Sequence, residues 1–171
     1  MELRERYSDA EWAALVAAPA AVIAAVIGSS PSNPIAIMQE VGAAVKAFEQ
    51  AAEQRRHNPL IAALLVALKG RFESYMGRRS DDPAAESIDI IALGRDPAVA
   101  VAAVRAATDI LAAQGPPDEA AELRAWLIEL AEAVAAAAPE GSFLGMGGEQ
   151  VNERERAMLA ELRAALDLSP I

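Results

Sequence analysis

The sixteen residues from Trp12 to Ile27 read WAALVAAPAAVIAAVI, without one charged side chain. How the chain accommodates this stretch decides its fold. A helix that spans a bilayer needs about 20 predominantly apolar residues, whereas shorter apolar runs are typical of core helices. Asp9 and Glu11 stand just before it, where a signal peptide would carry basic residues. Pro19 lies inside it and lacks the N–H that would bond the carbonyl four residues back. The stretch reads as a buried, kinked core helix, with membrane insertion or interfacial attachment as the lesser alternative.

Helix-start signals surround it. Ser8 and Glu11 have capping-box spacing, and Tyr7 and Trp12 sit where a hydrophobic staple places its two apolar groups. Asn33-Pro34, Asn58-Pro59, Asp82-Pro83 and Asp96-Pro97 each pair a capping side chain with a proline whose missing N–H costs nothing in a first turn. Pro116-Pro117-Asp118-Glu119 brings acidic groups to the positive end of another helix. Asn152 and Glu155 repeat the capping box.

Periodicity agrees. Met38, Val41, Val45, Phe48 and Ala52 recur at steps of three and four, which predicts a narrow seam against a neighbouring helix. Ile61, Leu64, Leu65, Leu68, Phe72 and Tyr75 form a broader stripe. Leu123, Trp126, Leu127, Leu130 and Val134 share one face, with Glu122, Glu129 and Glu132 opposite; Met158, Leu159, Leu162 and Leu166 make the last stripe. Residues 97–114 (PAVAVAAVRAATDILAAQ) are apolar on nearly all sides and predict a central helix packed all round. Residues 83–93 fit a short helix through Ile88, Ile91 and Ala92. No segment alternates as a strand does. The expectation is a single all-α domain over residues 1–171, a compact bundle of six or seven helices.

Composition supports this and excludes several functions. Of the 171 residues 54% are hydrophobic, but 42 are alanine, the best helix former, and only seven are aromatic. The core is thinly filled, so its helices must approach closely. With 25 acidic and 15 basic residues, a net charge of −10, the chain is a poor candidate for phosphate backbones, and no nucleic-acid partner is expected. The absence of cysteine removes disulfides, thiolate metal sites and a cysteine nucleophile.

Few residues remain that could do chemistry. His57 is the one imidazole, between Arg56 and Asn58, with no carboxylate near it in sequence; it reads as a surface junction histidine. One histidine cannot supply a His-His-carboxylate metal site. Asp109 and Asp89 are the carboxylates in apolar surroundings, and Arg105, one turn before Asp109, predicts a structural ion pair. Residues 55–79 carry a local charge of +5, so Arg55, Arg56, Arg78 and Arg79 are candidates for an anionic or partner patch, against the plainer reading that they complement helix C-termini. The loop 139–151 (PEGSFLGMGGEQV) holds four glycines and three large apolar groups, Phe143, Leu144 and Met146. Glu149 argues against a phosphate cradle. The loop either folds back to plug the bundle or offers Phe143, Leu144 and Met146 to a partner.

Two stretches are alike: AAVIAAVIGSSPSNPIAIMQEVGAAV (20–45) and ELAEAVAAAAPEGSFLGMGGEQVNERERAML (129–159). In both, an alanine-rich helix runs through a Gly- or Ser-containing loop into a capped helix start. This arrangement resembles the TerB-like, tellurite-resistance type of helical domain, whose pattern is Asp-Gly-x-Val-Ser-x-x-Glu-x-x-x-Leu. The second copy offers Gly148-Glu149-Gln150-Val151-Asn152, then Glu155 and Leu159; the first has Gly28-Ser29-Ser30 where acidic residues are expected. The likeness of the two stretches points to pseudo-duplicated ends, and the resemblance implies a compact, stress-associated helical domain with acidic residues proposed to bind metal. The missing aspartates leave no metal ligand to carry over.

The functional expectation is a cytoplasmic, non-catalytic interaction or assembly module, acting on a protein partner or on its own copies, with no cofactor. The alternative is a binder of a small hydrophobic ligand or ion in a helical cavity.

Overall fold

The computed structural model describes residues 3–29, 34–75, 96–137 and 151–168. A short 3-10 turn, Leu3–Arg6, precedes six helices: α1 (Asp9–Ser29), α2 (Pro34–Gln54), α3 (Pro59–Tyr75), α4 (Pro97–Gln114), α5 (Pro117–Ala135) and α6 (Glu153–Ala165). No strand occurs among the described residues, and the molecule is the expected all-α bundle. The short helix expected over 83–93 lies outside the described residues, with Asp82-Pro83, Asn33 and Asp89.

Local chemistry starts these helices as their sequence implies. Before α1, the Ser8 amide donates to Glu11 Oε2 at 2.8 Å and the Glu11 amide donates back to Ser8 Oγ at 3.3 Å. Tyr7, 3% exposed, packs its ring 6.4 Å from that of Trp12, which closes the staple. Asn58 Oδ1 accepts from Leu60 and Ile61, and Asp96 Oδ1 accepts from Ala98. Asn152 and Glu155 complete the second box, at 3.0 and 2.9 Å, with the Glu155 side chain buried. At the far end of α6, Asp167 takes a left-handed φ of 53° while the Leu168 amide reaches back to the Arg163 carbonyl.

The hub is α1, which contacts each of the other five helices and packs most extensively on α4 and then α5. Every residue from Ala18 to Val26 is buried. Among the described residues α1 is the one helix long and apolar enough to cross a bilayer, and 61% of its most apolar window is buried inside the bundle. It is therefore a core helix of this fold. It runs unbroken through Pro19, which leaves the Leu15 carbonyl without its usual i+4 donor.

The central helix expected over 97–114 is not central. Helix α4 buries one stripe, Ala100, Val104, Ala107, Thr108 and Leu111. Its other side is open: Val99 is half exposed, and Ala102, Arg105, Ala106 and Asp109 face solvent. Alanine explains the difference. It counts as apolar in a periodicity, yet an exposed methyl costs little, so an alanine-rich helix has no need to be surrounded. Arg105 and Asp109 form no ion pair with each other. The large side chains that demand burial sit elsewhere, in Leu15, Leu60, Ile61, Leu64, Trp126, Leu127 and Leu130.

Two substitutions probe this packing. Ala21→Leu on α1 forces extra volume into a fully buried small-residue contact and is expected to cost about 1–3 kcal/mol. Leu127→Ala opens a cavity and is expected to cost about 2–5 kcal/mol. Denaturant unfolding measures both; a neutral Ala21→Leu would mean that α1 is not closely packed there.

Candidate functional site

The seam expected on α2 is the largest departure from the sequence reading. Helix α2 turns Glu40, Ala44 and Ala51 fully inward and packs Ala47 and Phe48 against the core. The Phe48 ring lies 6.0 Å from that of Trp126 on α5. Met38 is 77% exposed and Val45 36%, Ala52 faces solvent, and Val41 is half-buried. The expected contact line thus runs along the edge of the core, with its larger aliphatic groups in water. Gly42, between Met38 and Val45, is also exposed, and a Cβ built there would meet nothing within 4 Å. Alanine again set the phase: Ala44, Ala47 and Ala51 offer α5 a closer approach than Met38 and Val45 would.

The junction between α2 and α3 is held to α5 by polar groups. Arg55 Nη2 donates to both Glu129 carboxylate oxygens, at 2.6 and 2.5 Å. His57 Nε2 lies 2.9 Å from Glu122 Oε1; the ionised carboxylate only accepts, so Nε2 is the protonated nitrogen. Asn58 caps α3 with its oxygen while its Nδ2 donates to Glu122 Oε2 at 3.0 Å and to the Glu119 carbonyl at 3.3 Å. The bond from His57, and then that from Asn58, holds the Glu122 carboxyl below its ordinary value of 4.5. The surface junction histidine of the sequence reading is therefore exposed as expected, at 63%. The carboxylate that orients it comes from a helix 65 positions away, where no sequence neighbourhood could show it.

The cationic patch divides. Arg55 is paired with Glu129. Arg56 is exposed, with no ion pair among the described residues. Arg78 and Arg79 lie outside the described residues, as do Phe143, Leu144 and Met146 of the glycine-rich loop. Between α2 and α5, Gln50, Gln54, Arg55, Trp126 and Glu129 help to line a cleft of about 70 Å³. That volume is far below the 300–1,000 Å³ or so of ligand pockets. No three His, Asp or Glu side chains converge to hold a cation among the described residues. Asn152 and Glu155, part of the TerB-like pattern, are occupied in a capping box, a device that any helix start can carry.

No family model matches the chain, and no curated protein or solved structure does either.

Glu122 gives a pH signature with a definite sign. Its folded pKa lies below the unfolded one, so its contribution is present above the unfolded carboxylate value and is lost as pH falls through the folded value. Glu122→Gln is expected to lower the melting temperature at neutral pH and to flatten its decline between about pH 5 and 3. Asn58→Ala, which removes both the cap and the donor to Glu122, is expected to cost about 1–2 kcal/mol. Parallel melting curves for wild type and Glu122→Gln across that pH range would refute the linkage.

Proposed function

We propose that this protein is a non-catalytic helical interaction module that docks a partner helix along the outer edge of α2. The observation that supports it is the inversion on α2: Glu40 is 1% exposed while Met38, two residues before it, is 77% exposed. Burying a carboxylate and hydrating a methionine is the opposite of what the hydrophobic effect alone favours. The exposed groups Met38, Val45 and Ala52 lie along one edge, with the part-buried Val41 and Phe48 between them. Met38, Val41, Val45, Phe48 and Ala52 keep a period of 3.5 residues, at which one helix presents a continuous edge to another. The sequence holds one histidine and no cysteine, so it offers neither a multi-histidine site nor a cysteine nucleophile.

Val45→Glu tests the reading. A charge at a site already 36% exposed is expected to change unfolding free energy by no more than about 0.5 kcal/mol. Complexes recovered from cells by cross-linking with the wild-type chain are expected to vanish with the variant. Retention of those complexes, or collapse of the fold, would defeat the proposal.

A further inference from the structure

We draw no further inference here: the strongest candidate, the part-buried Arg124 on α5, whose Nε is buried and which forms no ion pair among the described residues, is a lone side chain beside which nothing in the structure points to an anion.

Discussion

The bundle depends on the small surface that α1 presents to everything around it. Between Ala18 and Val26 all nine residues are buried, and five of them are alanine. Alanine loses no side-chain freedom on burial and keeps neighbouring backbones close. A helix in contact with five others cannot carry large groups on all its sides, so the volume is supplied by the neighbours: Leu60, Ile61 and Leu64 on α3, and Leu123, Trp126, Leu127 and Leu130 on α5. Pro19 fits this position because its ring adds bulk without adding a polar group to a segment that has no water to hydrate one.

Around this dry centre, α5 supplies the polar ties. Its acidic side was visible in the sequence as the face opposite Trp126. In the fold almost every carboxylate on it holds a different part of the chain: Glu119 takes Arg6 at 3.0 Å, Glu122 takes His57 and Asn58, Glu129 takes Arg55, and Glu132 takes Arg163. As partly exposed ion pairs these add little each to stability. Their consequence is orientation. Arg55 and Asn58 clamp the end of α2 and the start of α3 to α5, and Phe48 against Trp126 sets the rotation of α2. That rotation is what leaves Met38 and Val45 outside.

What the sequence made legible was whatever is decided within one turn of helix. The boxes at Ser8–Glu11 and Asn152–Glu155 and the caps at Asn58 and Asp96 are contacts between residues two or three apart, and all four formed. The buried stripe of α5 was also readable, because Leu123, Trp126, Leu127 and Leu130 leave no second choice of face. Phase was illegible wherever alanine dominates. In α4 the alanines made every side look inward, and in α2 they allowed Ala44 and Ala51 to displace Met38 and Val45 from the core. The tie between His57 and Glu122 was out of reach for another reason: it joins elements whose mutual placement follows from the packing and from nothing local. The two carboxylates suspected of burial were Asp89 and Asp109. Asp109 proved exposed, while Glu40 and Glu155 are the buried ones, each within a helix whose sequence looks amphipathic.

Helix α2 therefore carries two edges side by side. The inner one, Glu40, Ala44, Ala47 and Ala51, advances by steps of four, three and four and is made of small residues apart from one carboxylate. The outer one, Met38, Val41, Val45, Phe48 and Ala52, advances by the complementary steps and holds the larger groups. Phe48 belongs to both, touching Trp126 inside and bounding the seam outside. A helix on the rim of a solitary bundle needs only one apolar edge, with polar residues filling the rest of its circumference. The described fold covers the inner edge, and the outer one leaves Met38 and Val45 exposed.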